Sequence, residues 1–366
     1  MNITVKHSAL KSALSALKPL VPARASIPIL QCVLIRAGRE GLTITGTDID
    51  TRLTLCIDPA PHGEFAVAVN LRNMVDALSG VSGVVNLSTN ADGGLVLKCD
   101  GAASTIKTMS CADFPAARRA PDDALSFAMP AADLAIMIEK TQHAISSEDE
   151  RYYLNGIFLH SHEGALRAVA CDGRRLALRD TPLPDGAQNM PPIIIHQSAV
   201  KRLGGALKKQ AGEVNLTVHG EYARFEIDGA TLITKPIDGH FPDYARVIPS
   251  PKHSCLIPVK QLIQATKRAV SVTLKFGLNS LDVNADLDGA GDYRTLDLPV
   301  TWGHGLQSIT FNAKYLCNTL SQIGGDDALI GIVDSASPAL FTDTTASLHR
   351  FVLMPMRERV KKTAKP

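Results

Sequence analysis

Three groups of side chains in this 366-residue sequence have the make-up that chemistry requires. The run Asp286-Leu287-Asp288-Gly289-Ala290-Gly291, with Asp297 in the twelfth place, spaces carboxylates as a calcium-binding loop does. It lacks an oxygen ligand at Ala290 and has no flanking helices, so a hairpin turn is the better account. His160 and His162 stand two apart in an alternating segment and would share one face of a strand. A zinc site needs three or four ligands, and no third stands near them in the sequence. Cys171-Asp172 beside Arg174 and Arg175 has the composition of a thiolate activated by cations. No P-loop, G-x-S-x-G or H-E-x-x-H pattern occurs. The expectation is a protein without catalytic residues, cofactor or metal.

What remains is charge. Lys and Arg number 38 against 36 Asp and Glu, a formal charge of +2, which read uniformly argues weakly against nucleic acid as a partner. The distribution says otherwise. Six amphipathic helices are expected at 8–19, 71–79, 131–142, 198–209, 259–270 and 312–321. They carry Lys11, Lys18, Arg72, Lys140, Lys201, Arg202, Lys208, Lys209, Lys260, Lys267, Arg268 and Lys314 against Asp76, Asp133 and Glu139 alone. The rest of the chain is correspondingly acidic. Helices facing one way would form a basic surface suited to phosphates, with no recognition helix, zinc finger or aromatic platform to read bases.

The elements that position these cations repeat. Ile3 and Val5 alternate before Leu10, Leu14 and Leu17 at helical spacing; Phe127 and Met129 precede Leu134, Met137 and Ile138; Ile257 precedes Val259, Leu262, Ile263 and Thr266. Copies about 125 residues apart mean three homologous domains. Each also divides in half: 65–69 leads into Leu71, Met74, Val75 and Leu78, 193–195 into Val200, Leu203 and Leu207, and 309–311 into Tyr315, Leu316 and Leu320. Val85-Asn86-Leu87 recurs as Val214-Asn215-Leu216. Alternating runs at 41–46, 165–170 and 280–285 predict antiparallel hairpins. The fold class is α+β: three similar domains, each a pseudo-twofold pair of strand–helix–strands units, with helices on one face of antiparallel sheets. The domains are placed at 1–119, 124–249 and 253–357, with linkers around 116–123 and 250–253 and a basic tail at 358–366.

Composition bounds the setting. A hydrophobic fraction of 45% excludes disorder. No run of about 18 uncharged apolar residues occurs, and Lys6, Lys11 and Lys18 punctuate the start where a signal peptide would be apolar. Seven scattered cysteines without C-x-x-C spacing fit thiols in a reducing compartment. A cytoplasmic protein with no membrane association is expected.

Several motifs carry a family resemblance. Arg151-Tyr152-Tyr153-Leu154-Asn155-Gly156, Cys171-Asp172-Gly173-Arg174-Arg175-Leu176-Ala177, Asp238-Gly239-His240-Phe241-Pro242-Asp243-Tyr244 with Arg246-Val247, and Met354-Pro355-Met356-Arg357 occur in that order. Together with 42–48 (LTITGTD) and Asp113-Phe114-Pro115, they make the chain resemble the bacterial β sliding clamps, the processivity subunit of DNA polymerase III. The resemblance covers nearly the whole chain. It implies the DNA clamp fold in a head-to-tail homodimeric ring, helices inside and sheets outside, threaded by duplex DNA. It also implies a peptide pocket that tethers replicative and translesion DNA polymerases, the clamp loader and repair proteins. The pocket residues carried over are Leu154, Cys171, Gly173, Arg174, Arg175, Leu176, Pro242, Arg246, Val247, Val352, Met354, Pro355, Met356 and Arg357. The DNA contacts carried over are Arg24, Arg151, Tyr152 and Tyr153, to which the helices add Lys201, Arg202, Lys208, Lys260, Lys267 and Arg268. Leu78, Ile106, Ser271 and Val272 are the dimer-interface expectation.

The chain departs from that family in three places. Arg174 replaces a smaller or imidazole side chain at the pocket rim, the loop after the third domain's first helix is short, and 358–366 extends the end with four cations. These departures fit a divergent or accessory copy. The alternative expectation is a clamp-fold peptide-binding hub that does not form a stable DNA-encircling ring.

Overall fold

Apolar residues three and four apart lay one helix face against a sheet in each repeat. The computed structural model describes residues 2–38, 41–58, 64–207, 211–287, 292–303, 307–344 and 348–356. Its helices are α1 (His7–Leu17), α2 (Leu71–Ala77), α3 (Ala131–Thr141), α4 (Gln197–Leu207), α5 (Val259–Thr266) and α6 (Ala313–Leu320). On α1 the buried face is Leu10, Ala13, Leu14 and Leu17; on α5 it is Val259, Leu262, Ala265 and Thr266; on α6 it is Ala313, Leu316, Thr319 and Leu320.

The repeat read from the sequence is a repeat of register. The strands before α1, α3 and α5 are Asn2–Lys6, Leu125–Pro130 and His253–Pro258. Each pairs antiparallel with a later strand: Ile3 faces Leu87 and Val5 faces Val85, Phe127 faces Leu216 and Met129 faces Val214, Cys255 faces Ile330 and Ile257 faces Ala328. The residue just before each later strand caps the helix. His7, Ala131 and Val259 donate their N–H groups to the carbonyls of Gly83, Gly212 and Asp326 at 3.0, 2.9 and 2.9 Å, satisfying a donor that a helix start otherwise orphans. The helices of the second halves use side chains. Asn70 accepts from the N–H groups of Arg72 and Asn73, the His196 ring from Ser198, and Asn312 from Tyr315.

Among the described residues the strands form four antiparallel sheets. One runs Asn2–Lys6, Val84–Thr89, Leu95–Cys99, Ala102–Ile106, and another Tyr293–Pro299, Ser280–Asp286, Ser271–Phe276, Gln307–Asn312. The other two are longer because the last strands of two half-repeats pair. Thr51–Asp58 joins Ala230–Thr234, Arg52 facing Ile233, within a nine-stranded sheet. Arg175–Pro182 joins His349–Leu353, Leu176 facing Val352, within an eight-stranded sheet. The corresponding last strands Ala102–Ile106 and Tyr293–Pro299 have a partner on one side only among the described residues.

By proximity the chain forms two compact units. The first takes the residues up to Leu134, Pro184–Ile193 and Lys201–Pro236; the second takes Ala135–Leu183, Ile194–Val200 and the chain from Ile237. One helix is shorter than its pattern predicts. α5 ends at Thr266, whose hydroxyl donates to the Ile263 carbonyl at 2.9 Å, and Arg268 takes a left-handed conformation at φ +67°. Lys267 and Arg268 therefore follow the helix. Lys18 likewise caps α1 rather than lying within it.

Candidate functional site

A tight turn, Asp172-Gly173-Arg174, joins the strands Ala165–Cys171 and Arg175–Pro182. One Asp172 carboxylate oxygen accepts the N–H groups of Arg174 and Arg175 at 2.9 and 3.0 Å, and the other accepts from Arg175 Nε at 2.9 Å. Both side chains are close to buried, so this ion pair fixes the guanidinium where a surface pair would let it wander. Gly173 sits at φ +84°, and a Cβ there would collide with the Arg151 guanidinium. Arg151 is held in turn by Glu148, through Nε at 3.0 Å, and by the Asp172 carbonyl at 3.3 Å.

Beside this turn lies an apolar floor. Leu154, Leu176 and Val352 are buried with Leu178, Ile194 and Phe241, and Tyr153, Cys171, Tyr244 and Ile248 pack against them. The three residues expected as pocket wall are thus its base. Of the other expected pocket residues Pro242, Val247, Met354 and Met356 are exposed, and Pro355 between the methionines is half-buried. Met354 is anchored by its N–H to the Arg174 carbonyl at 2.9 Å and Met356 by its N–H to the Thr310 carbonyl at 2.7 Å, and both residues are exposed. Arg246 pairs with Asp243 at 2.8 Å. Burial pushes the Cys171 thiol up, the reverse of an activated thiolate.

A cleft of about 360 Å³ opens among Arg174, Asn312, Tyr315, Met354, Pro355 and Met356. The Arg175 guanidinium lies over the Tyr315 ring, and Arg174 Nη1 donates to the Tyr315 hydroxyl at 3.3 Å. Asn312 and Tyr315 were absent from the expected pocket. Tyr315 sits at helical spacing and reads as a core anchor of α6; only the pairing of distant strands brings Arg174 and Arg175 to it. Apolar floor, adaptable methionines, guanidinium groups and an amide suit a short peptide with apolar side chains and carbonyl or carboxylate groups to anchor.

The expected DNA contacts fare unevenly. Arg24, Lys201, Lys267 and Arg268 are exposed. Lys260 is exposed but paired with Asp326 at 2.6 Å. Arg202 is partly buried, and its guanidinium donates to the Pro19 carbonyl at 2.8 Å, so it braces α4 rather than presenting free charge. Tyr152 is 52% exposed, whereas Tyr153 packs on the apolar cluster. The two lie in a short 3-10 turn, so the pair is neither a strand nor wholly outward. Lys208, Arg357 and residues 358–366 lie outside the described residues, as do 288–291 of the calcium-like run.

The residues expected at a dimer interface are mostly covered in the single chain. Leu78, Ile106 and Val272 are buried within their own chain at 4%, 6% and 0% exposure. Ser271 and Val272 also lie on a strand paired on both sides. His160 and His162 do share a face, rings 5.7 Å apart, but His160 spends both ring nitrogens on Tyr244 Oη and the Ser161 carbonyl. Among the described residues no cluster of His, Cys, Asp or Glu could hold a metal ion, and no helix is long and apolar enough to cross a membrane.

Models of the DNA polymerase III beta subunit match residues 1–118 as its N-terminal domain, 128–243 as its central domain and 247–357 as its C-terminal domain. The chain is 33% identical to the beta sliding clamp of Caulobacter vibrioides over 381 residues, covering 98% of this chain and 100% of that protein. It is 27% identical to that of Escherichia coli K12 over 370 residues, covering 98% and 100%. Its structure is similar to the DnaN sliding clamp of Bartonella birtlesii bound to griselimycin, with TM-score 0.92, 28% identity and coverage of 98% and 100%. It is also similar to the C. crescentus beta sliding clamp with PEG bound to a putative beta-motif tethering region, with TM-score 0.90, 30% identity and coverage of 98% and 100%.

Proposed function

Since the chain belongs to the DNA polymerase III beta subunit family, the beta sliding clamps, which are non-catalytic processivity factors of DNA replication, we propose that two copies close head to tail into a ring that encircles and slides on duplex DNA. The observation that carries this reading is the last strand at either end of the repeat series, which among the described residues is paired along one edge and open along the other. Within the chain, last strands join last strands, as Thr51–Asp58 joins Ala230–Thr234 and Arg175–Pro182 joins His349–Leu353. Ala102–Ile106 and Tyr293–Pro299 are the two left over. Pairing the one with the other in a second copy, twice, removes every such edge and closes the assembly. The interface then lies on these two strands, and of the residues expected from the sequence it includes Ile106.

The domains of this reading are 1–119, 124–249 and 253–357. Arg24, Arg151, Tyr152, Lys201, Lys267 and Arg268 face the duplex and meet phosphates through screened charge, which lets the ring slide. The cleft at Met354, Met356, Arg174, Arg175 and Tyr315 receives short peptides from replicative and translesion polymerases, the clamp loader and repair proteins, in the cytoplasm. Encirclement is tested by loading the protein on nicked circular DNA with its clamp loader and then cutting the circle. A ring is lost from the ends after linearisation; equal retention on linear and circular DNA refutes it.

A further inference from the structure

The turn that supports the peptide cleft has a twin in the first unit. Asp48 donates its N–H to the Thr51 carbonyl at 3.1 Å and accepts the Thr51 N–H at 2.7 Å, as Asp172 does with Arg175 at 3.2 and 3.0 Å. Ile49 between them takes φ +85°, matching Gly173 at +84°. The strand that follows pairs with a last strand in both cases. A Phe-Pro segment covers both floors: Phe241 is buried with Leu154, Leu176 and Val352, and Phe114 with Ile29, Cys32, Leu34 and Ala68.

The floors differ in kind. Where Leu176 faces Val352, the equivalent pair in the first unit is Arg52 facing Ile233. Arg52 donates to the Pro115 carbonyl at 2.6 Å and lies 5.5 Å from the Phe114 ring centroid. Around it a groove of about 430 Å³ is lined by Arg36, Arg118, Arg119 and Arg224. Its carboxylates are few. Glu226 pairs with Arg224, and Asp50 is 4.0 Å from Arg118, while Arg36, Arg52 and Arg119 have no carboxylate within ion-pair distance among the described residues. Burial and the like charge of Arg36 push the Arg52 pKa down. Threonines Thr43, Thr45, Thr54 and Thr231 add hydroxyls along the same wall.

We propose that this groove is a second docking site, selective for an acidic peptide segment. The turn, the pairing of last strands and the Phe-Pro segment beside it repeat those beside the cleft read above as a peptide site, and the proposal rests on that reading for its choice of a peptide. Its charge suits carboxylates where the other suits apolar side chains: three guanidinium groups without a carboxylate partner among the described residues, in a concave site, attract anions and give a Leu- or Phe-rich motif nothing to pair with. A partner could thus engage the two grooves of one chain with segments of opposite character, without competition between them.

The test uses the full-length protein, a fluorescein-labelled Glu-rich peptide, a labelled Leu- and Phe-containing peptide and a short labelled duplex. Arg36 and Arg119 are exposed, so R36E/R119E should fold as the parent does. The acidic peptide should bind the parent in a salt-sensitive manner, lose about tenfold or more in affinity with R36E/R119E, and be indifferent to Met354→Ala. The Leu- and Phe-containing peptide should show the opposite pattern. The proposal is overturned if the acidic peptide does not bind, if Met354→Ala rather than R36E/R119E weakens it, or if R36E/R119E weakens only the duplex. Failure of the Leu- and Phe-containing peptide to bind would instead sink the peptide-cleft reading, and leave acidic-peptide binding to be judged on its own.

Discussion

The Arg175 guanidinium stacks 4.4 Å from the centroid of the Tyr315 ring while its Nε holds the Asp172 carboxylate at 2.9 Å. One side chain therefore couples the turn after Cys171 to the start of α6. A cation over an aromatic face is worth about 0.5–2 kcal/mol, and the carboxylate keeps the guanidinium plane from rotating away.

Tyr315→Ala should raise the Kd for a Leu- and Phe-containing peptide by about fivefold or more, because the ring lines the cleft, and should cost about 0.5–2 kcal/mol of stability through the lost contact with Arg175. Fluorescence anisotropy and a thermal melt on the same sample check it. An unchanged Kd would place the peptide elsewhere.

Gly173→Ala should cost about 1–3 kcal/mol, because a left-handed residue gains a Cβ and the Arg151 guanidinium must move aside. Urea unfolding reads the loss. A midpoint equal to the parent's would show that the turn relaxes without strain.

His143 is part-buried against Phe351, ring centroids 5.7 Å apart, and burial, then the Arg175 charge, hold its pKa down to about 4 from an ordinary 6.5. Between those values the unfolded chain holds more protons than the folded one, so stability rises with pH across the window. The contribution, about 3 kcal/mol, is fully present above about pH 6.5 and is lost as pH falls toward 4. His160 and His349 are displaced in the same direction. His143→Gln should flatten part of the slope in denaturation measured from pH 7 to pH 4; a variant with the parent's full slope would exclude His143 as its source.

Ala103→Pro, on the edge strand Ala102–Ile106, should weaken self-association by about tenfold or more, since a proline removes a backbone donor that a second copy needs. Leu78→Ala should do the converse. Its side chain is 4% exposed, so truncation costs about 2–5 kcal/mol of folding stability and moves the dimer constant far less. Sedimentation equilibrium separates the two; Leu78→Ala as the stronger dimer mutant would restore the interface first expected from the sequence.

Lys201→Glu should slow loading on DNA, with an effect that shrinks as salt rises, because the exposed ammonium acts at long range. Arg202→Ala should instead lower the melting temperature, since its guanidinium is committed to the Pro19 carbonyl. Loading rates across a salt series, beside melts, distinguish the roles.

Much of the scaffold was legible in the sequence. Leu10, Leu14 and Leu17 predicted α1, and the shared wording of 85–87 and 214–216 predicted two strands that hold the same register. Both signals are local: a period of 3.6 or 2 needs only a few adjacent residues to declare itself. Helix ends were less legible. Leu262 and Thr266 continue toward Val270 in pattern, yet the Thr266 hydroxyl bond and the left-handed Arg268 stop α5, and neither leaves a mark in apolar spacing.

The sequence by itself determined the three repeats, the half-repeats, the basic bias of the helices and the motifs that place Leu154, Gly173, Leu176 and Met354 in one family. Tertiary structure alone decided which of these residues have a surface. Leu78 and Val272 look like any surface leucine or valine until the fold buries them, and Arg202 looks like an unattached side chain until it donates to the Pro19 carbonyl. Whether Arg175 meets Tyr315, or Arg52 replaces a Leu176-like floor, depends on last strands pairing across more than a hundred residues. That pairing is a non-local choice of register, and no window of sequence contains both partners.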